Sequence, residues 1–345
     1  MSLTPSMRNN DLLTIRNLHT YFYTEDGVVK ALNGVNLDIK RGEVLGLVGE
    51  SGCGKSVTAL SILRLIQDPP GKIVQGEIWF EGEDLLQYPM ERMREEIRGG
   101  KIAMIFQDPM TSLNPVFRVG VQVAEAIKIH QHVGWKEALR RAIGMMQRVS
   151  IPSAETRAVD YPHQFSGGMK QRIMISMGLS CHPQLLIADE PTTALDVTIQ
   201  AQILAQMRQI KEDTGTSILL ITHDLGVIGE MADRIAVMYA GNVVEYTDAD
   251  TLFTTPKHPY TQGLLNCFPE ATERKTNLEP IEGIVPNLVH PPSGCRFHPR
   301  CKLAMPACAQ REPQLQMVAP GHQVSCLLYE DEGLAPSVPP GVTAR

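Results

Sequence analysis

The chain has 345 residues, enough for two domains and a large core. Its formal net charge of −6 argues against nucleic acid as the main partner, because a basic face is needed to bind a phosphate backbone. No apolar run approaches the roughly 20 residues that span a bilayer, and residues 1–10 lack the apolar core of a signal peptide. We therefore expect a cytosolic protein whose membrane role, if any, depends on partner subunits.

Strands and a phosphate-binding loop are predicted at the start of the chain. Residues 11–48 alternate apolar and polar positions, which predicts strands of a partly antiparallel sheet. Residues 49–56 read Gly-Glu-Ser-Gly-Cys-Gly-Lys-Ser and lie between a strand pattern and a helical pattern, as phosphate-binding loops do. The residues expected to bind a nucleoside triphosphate are Gly49, Glu50, Ser51, Gly52, Cys53, Gly54, Lys55, Ser56 and Val57.

Each residue type in this loop has a chemical reason. Glycines let the backbone approach the ligand closely, and backbone N–H groups converge with the positive end of the following helix on a polyphosphate. We expect Lys55 to reach the β- and γ-phosphates and the Ser56 hydroxyl to hold Mg²⁺. The alternative is a glycine-rich turn without a ligand, which is disfavoured because strand, loop and helix patterns all agree.

The middle of the chain changes from strands to helices. Residues 73–87 predict a strand pair, residues 101–106 a short strand, and residues 116–180 a helical region. Within it, Ser166-Gly167-Gly168 precedes a predicted helix over Lys170–Leu179. Ser166 is a good cap residue, and the two glycines expose N–H groups at a positive helix end. This is a second anion-binding device, unless it is simply a capped helix.

Two apolar strands follow, at 185–188 and 217–221, with a predicted helix between them at 197–211. That order predicts a parallel sheet with right-handed crossovers. The first strand ends in Asp189-Glu190, where Asp189 suits a Mg²⁺ ligand and Glu190 could accept a proton from an attacking water. A solvated turn is the alternative for such a pair. A hairpin is predicted from residues 235–238 and 243–246.

The ordered set of motifs resembles the nucleotide-binding subunit of an ABC transporter over about residues 11–250. The set comprises the loop at 49–56, Gln107, Ser166-Gly167-Gly168, Asp189-Glu190, Thr193-Ala194-Leu195-Asp196 and His223. The resemblance implies that Gln107 contacts Mg²⁺ or water, that Asp196 belongs to a loop crossing to a second monomer, and that His223 hydrogen-bonds the γ-phosphate. The alternative for His223 is a polar group satisfied at the end of a buried strand.

The resemblance also implies that Phe22 stacks on adenine. One alternative is that the neighbouring Tyr23 does so, and another is that Phe22 is simply an aromatic residue of the core. The Ser166-Gly167-Gly168 motif departs from the commonest family pattern at both flanking positions, Phe165 and Met169. Its phosphate-contacting core is intact, so we expect a competent site. What Met169 does to that site is left open.

Four cysteines crowd into the last part of the chain, at Cys295, Cys301, Cys308 and Cys326. Disulfides are not expected in a cytosolic chain, and a short Pro-rich segment would benefit from a metal. Four thiolates suit either tetrahedral Zn²⁺ or a [4Fe–4S] cluster. The segment resembles the C-terminal extension of oligopeptide/dipeptide ABC importer ATPases, which implies the cluster. Zn²⁺ and reduced, unliganded thiols are the alternatives.

We expect an α/β fold with a P-loop NTPase core of ABC type, an antiparallel β subdomain and an inserted helical subdomain near 116–180. The ATPase domain is predicted at 11–255, a cysteine-containing extension at 256–330, and disorder at 1–10 and 331–345.

The expected function is ATP hydrolysis at a dimer interface, driving import of di- or oligopeptides at the cytoplasmic face of the membrane. The expected partners are a second ABC ATPase, with a heterodimer favoured over a homodimer, two membrane permease subunits and, through them, an extracytoplasmic solute-binding protein. The alternatives are an assembly or DNA-maintenance ATPase, or an importer for a nickel complex or oligosaccharide. A plain phosphate-loop kinase would leave the second glycine turn and His223 unexplained.

Overall fold

The structure is a computed structural model that describes residues 10–108, 112–192, 197–267 and 281–330. Disorder is predicted for residues 1–10 and 331–345, and these segments lie outside the described residues apart from residue 10; Asp196 also lies outside them. Among the described residues, we find no helix with the length and apolar character needed to cross a membrane.

The strands form two sheets. In chain order they are β1 (Asp11–Thr24), β2 (Gly27–Lys40), β3 (Val44–Val48), β4 (Gly71–Phe80), β5 (Glu83–Asp84), β6 (Ile102–Ile105), β7 (Leu185–Asp189), β8 (Ser217–Ile221), β9 (Arg234–Tyr239), β10 (Asn242–Asp248), β11 (Gln316–Ala319) and β12 (His322–Val324). The smaller sheet has the order β2-β1-β4-β5, and its pairings are antiparallel, as predicted.

The larger sheet has the order β11-β12-β10-β9-β3-β8-β7-β6. Strands β3, β6, β7, β8 and β9 pair in parallel, which confirms the prediction from the strand–helix–strand pattern. Every residue of β3, β7 and β8 is buried, as expected for parallel strands covered on both faces. The carboxyl ends of these strands therefore meet at one edge, where α/β folds bind their ligands.

Helices cover this sheet and build a separate region. They are α1 (Lys55–Ile62), α2 (Met90–Arg92), α3 (Val119–Gln131), α4 (Trp135–Arg148), α5 (Ala154–Arg157), α6 (Gly167–Leu179), α7 (Val197–Thr214), α8 (Leu225–Met231), α9 (Ala249–Thr254) and α10 (Pro259–Asn266). Helices α3 to α6 lie within residues 116–180, the range predicted for a helical subdomain. In α4 the buried residues recur at helical spacing on one face: Ala138, Ala142, Met145 and Met146.

Helix α6 begins at Gly167, three residues before the predicted start at Lys170. The reason is local, because the Ser166 side chain accepts a hydrogen bond from the Met169 N–H and so caps the helix at residue 166. The two glycines therefore lie inside the first helical turn.

The segment after residue 255 adds a hairpin to the larger sheet. Strand β12 pairs antiparallel with β10, and β11 pairs with β12. Glu245 of β10 is fully buried and accepts hydrogen bonds from His322 Nε2 (2.7 Å) and from the N–H groups of Lys257 (2.6 Å) and His258 (2.9 Å). The extension is thus attached to the sheet through both backbone and side chains.

Candidate functional site

The phosphate loop connects β3 to α1 at the carboxyl edge of the larger sheet. A Cβ on Gly49 would lie 2.2 Å from the Met238 carbonyl oxygen, and Gly54 adopts a φ of +108° that only glycine accepts without strain. The loop is also bonded to the turn between β9 and β10, because the Gly241 N–H donates to the Cys53 carbonyl (2.9 Å). These contacts give the predicted loop its tight path.

Lys55 lies beneath the loop, with 6% of its surface exposed. Its Nζ donates to the carbonyl oxygens of Gly49 (2.8 Å) and Glu50 (3.1 Å). The ammonium group is therefore placed at the centre of the loop, where a polyphosphate would be cradled.

Asp189 stands at the end of β7 beside Ser56 and Lys55. Burial raises the pKa of its carboxyl group, while hydrogen bonding to Ser56 and the charge of Lys55 act in the opposite direction. Among the described residues, no hydrogen-bond partner reaches its buried Oδ1 atom. A buried carboxylate oxygen without a donor, next to a hydroxyl, fits a Mg²⁺ site that also takes phosphate and water oxygens.

Glu190 lies between Gln107 and His223. Gln107 Nε2 donates to Glu190 Oε2 (3.0 Å), and His223 Nδ1 lies 3.1 Å from Glu190 Oε1. Glu190 has a φ of +48°, and its N–H donates to the Ile221 carbonyl at the end of β8 (2.8 Å). A positive φ at a non-glycine residue is often kept where function needs a particular side-chain direction. The structure thus brings together the three residues predicted to act in catalysis.

The Ser166-Gly167-Gly168 turn lies at the start of α6, with Ser166 and Gly167 exposed. A Cβ built on Gly167 meets no atom within 4 Å, so this surface is open for a ligand or another molecule. Phe165 is buried in the larger hydrophobic core, and Met169 is partly buried against that core, so both unusual residues contribute to core packing.

Phe22 and Tyr23 lie near the end of β1. Phe22 is half-buried beside Gly71, where an added Cβ would come within 2.7 Å of its ring. Tyr23 has 52% of its surface exposed. The packing of Phe22 against β4 keeps the core-aromatic alternative open, because part of its ring is already covered.

The four cysteines lie near one another but do not form the predicted metal centre. Burial, followed by smaller effects that include neighbouring thiolates, raises the pKa of Cys295 to about 11 and that of Cys326 to about 12. Over the described residues, no three His, Cys, Asp or Glu side chains form a group that could hold a metal ion. The geometry therefore does not support the expected [4Fe–4S] cluster or Zn²⁺ at Cys295, Cys301, Cys308 and Cys326.

The extension contacts the phosphate loop at Glu50, a contact that the sequence analysis missed. The Glu50 N–H donates to the Tyr260 hydroxyl (3.0 Å), and the Arg300 guanidinium donates to the Glu50 carboxylate (2.7 and 3.1 Å). The bulk of the extension follows the loop by more than 200 residues, and no local spacing pattern points to such a pair.

Comparisons with known proteins agree with this geometry. Residues 32–193 match the ABC transporter family, and residues 244–308 match the oligopeptide/dipeptide transporter C-terminal region. The fold resembles the ATP-binding cassette MJ0796, solved as a dimer in a post-hydrolysis state bound to ADP and Pi. The TM-score is 0.62 at 26% identity, over 69% of this chain and 98% of that one.

Relatives match nearly the whole chain. A probable peptide ABC transporter ATP-binding protein of Sinorhizobium fredii is 53% identical over 91% of this chain and 94% of its own length. The oligopeptide transport ATP-binding protein AppD of Bacillus subtilis is 50% identical, over 93% and 98%. The dipeptide transport ATP-binding protein DppD of Escherichia coli is 46% identical, over 95% and 99%.

Proposed function

Because the chain belongs to the family of ABC transporter ATP-binding proteins, we propose that it powers an importer for di- and oligopeptides. It is an ATPase whose hydrolysis of ATP is coupled to transport. The observation that carries the site assignment is the position of Glu190, held between Gln107 and His223 one residue after Asp189.

The residues divide the work of phosphoryl transfer to water. Backbone N–H groups of the loop and Lys55 bind the β- and γ-phosphates, and Glu190 accepts a proton from the attacking water. His223 steadies the γ-phosphate, and Gln107 orients Glu190 through their hydrogen bond. Ser56 and Asp189 would hold Mg²⁺, with Gln107 nearby; the ion neutralises charge on the phosphates.

Two subunits complete each reaction chamber in this proposal. The exposed Ser166-Gly167-Gly168 turn of a second ATPase covers the nucleotide bound by the first, and Asp196 lies in the loop that crosses between them. The open surface at Gly167 supports this arrangement, as does the dimeric state of the similar cassette. A heterodimer with a related ATPase is favoured, and a homodimer is the alternative.

The partners follow from the same assignment. Two integral membrane permease subunits form the path, and a solute-binding protein outside the membrane delivers peptide to them. The chain is then a peripheral subunit at the cytoplasmic face, contacting the permeases near Gln107. Phe22 stacks on adenine, with Tyr23 as the alternative.

The four cysteines of the extension have two competing assignments, a bound metal centre and reduced thiols. The sequence resemblance implies a [4Fe–4S] cluster, whereas the side-chain geometry of the described residues favours reduced thiols over either the cluster or Zn²⁺. Iron and acid-labile sulfide in anaerobically purified protein, both lost in Cys295→Ser, would decide for the cluster.

Uptake by a reconstituted transporter tests the transport assignment. The chain is co-expressed with its neighbouring ATPase, permease and solute-binding subunits, and ATP-dependent accumulation of labelled peptides in vesicles is measured. We expect uptake that is lost with Lys55→Ala. Accumulation of a nickel complex or an oligosaccharide instead would replace the peptide assignment, and purification without membrane subunits would favour a non-transport ATPase.

A further inference from the structure

The phosphate loop is clamped from outside the nucleotide-binding core by one arginine of the extension. Arg300 Nη1 lies 2.7 Å from Glu50 Oε2, and Nη2 lies 3.1 Å from Glu50 Oε1. This two-pronged geometry is the strong and directional form of an arginine–carboxylate pair. Only 6% of the Arg300 side chain and 25% of the Glu50 side chain are exposed, so water screens the pair weakly.

Arg300 is itself fixed by the segments around it. Its Nε donates to the Glu282 carbonyl (3.0 Å) and its Nη2 to the Ile281 carbonyl (3.3 Å). Its Nη1 also lies 3.4 Å from the Tyr239 hydroxyl at the end of β9. Because these acceptors fix the guanidinium group, Arg300 restricts the positions that the Glu50 side chain can take.

A second contact holds the backbone of the same loop residue. The Tyr260 hydroxyl accepts from the Glu50 N–H (3.0 Å), and Tyr260 is fully buried. Its ring packs against Tyr239 and Phe297, with centroids 4.7 and 5.4 Å away. Side chain and backbone of Glu50 are therefore both held by residues of the extension.

Glu50 is also bonded to the phosphate-binding lysine, because its carbonyl accepts a hydrogen bond from Lys55 Nζ (3.1 Å). Glu50 also places a carboxylate in a loop that binds a polyanion, where an unpaired negative charge would repel the ligand. Arg300 removes that repulsion and fixes the loop path at the same time.

We propose that Arg300 is a positioning residue for ATP binding, which neutralises Glu50 and holds the phosphate loop in its nucleotide-binding form. The inference rests on the proposed ATPase function and deepens it. It assigns the extension a direct part in nucleotide affinity, in addition to its place in the sheet.

The test measures affinity of the full chain for a fluorescent ATP analogue with Mg²⁺, together with KM and kcat of the assembled ATPase. Arg300→Gln is expected to weaken nucleotide binding about tenfold and to raise KM, with a smaller effect on kcat. This size corresponds to a coupling within the usual range for residues in contact. Arg311→Gln is the matched control, because Arg311 pairs with Glu330 at an exposed site of the same extension.

The double variant separates charge neutralisation from general damage. In Glu50→Gln with Arg300→Gln the repelling carboxylate is gone, so we expect tighter binding than in Arg300→Gln alone. A misfolded extension would show no such rescue. Wild-type affinity in Arg300→Gln, or a double variant no better than that single one, overturns the inference while the ATPase assignment stands. A wild-type chain that binds no ATP overturns both.

Discussion

Replacing Glu190 with Gln removes a proton acceptor while keeping the size and most contacts of the side chain. In Glu190→Gln the amide oxygen can still accept from Gln107 Nε2, and the amide nitrogen can face His223. The backbone φ of +48° is set by the strand end and is unchanged. The variant therefore tests chemistry at a preserved site.

The expected size follows from the role. Loss of a positioned general base typically lowers the rate by ~10²–10⁴, which corresponds to about 3–5 kcal/mol of activation free energy. Nucleotide binding should persist, because Lys55 and the loop backbone are untouched. An enzyme that binds ATP but cannot hydrolyse it should accumulate as the closed dimer.

Phosphate release at saturating ATP and light scattering of the ATP-bound species measure these two effects. Glu230→Gln serves as the control, because Glu230 is an exposed carboxylate of α8 that pairs with Arg208 rather than with Gln107 or His223. Hydrolysis at the wild-type rate in Glu190→Gln would refute its role as base. A lost ability to bind ATP would instead mean that Glu190 maintains the loop.

Two further predictions concern the lid and the extension. Gly167→Asp adds a side chain where no atom lies within 4 Å and places an acidic residue at a helix N-terminus, so folding and ATP binding by its own loop should persist. Repulsion of the phosphates on the opposite subunit should lower dimer hydrolysis more than tenfold, and unchanged hydrolysis would argue against a lid supplied in trans. Burial lowers the pKa of His258 to about 3, from an ordinary value of 6.5. Between these two pH values the unfolded chain binds a proton at His258 and the folded chain does not. The free energy of unfolding should therefore fall as the pH drops from about 6.5 towards 3, by about 1.4 kcal/mol per pH unit. His258→Asn keeps an acceptor for the Tyr260 N–H and should flatten the melting temperature against pH; an unchanged slope would contradict this origin.

The arrangement of the candidate ATP site could be predicted from the sequence because its parts are local and occur in a fixed order. The loop at 49–56 shows its strand, glycines and helix within 20 residues, and Asp189-Glu190 ends an unmistakably apolar strand. Parallel pairing of β3, β7 and β8 then brings Ser56, Glu190 and His223 to one edge without further information.

The extension could not be predicted in the same way. Strands β11 and β12 contain four and three residues, too few for an alternating pattern to emerge. Arg300 and Glu50 are 250 residues apart, and nothing in either local segment specifies the other. The predicted metal centre illustrates the same limit, because four cysteines in sequence do not determine whether four sulfurs meet.

The division of the chain near residue 255 separates groups that are chemically interdependent. Glu245 belongs to the predicted ATPase domain, yet its three hydrogen-bond donors belong to the extension, at Lys257, His258 and His322. If these three donors were removed, the fully buried Glu245 carboxylate would be left without them, and an unpaired buried charge lowers the free energy of unfolding by several kcal/mol. At the end of the neighbouring strand β9, the Tyr239 hydroxyl contacts Arg300, which in turn pairs with Glu50. We therefore expect the sheet and the phosphate loop to depend on a folded extension, and we propose that the nucleotide-binding unit of this chain continues to about residue 330.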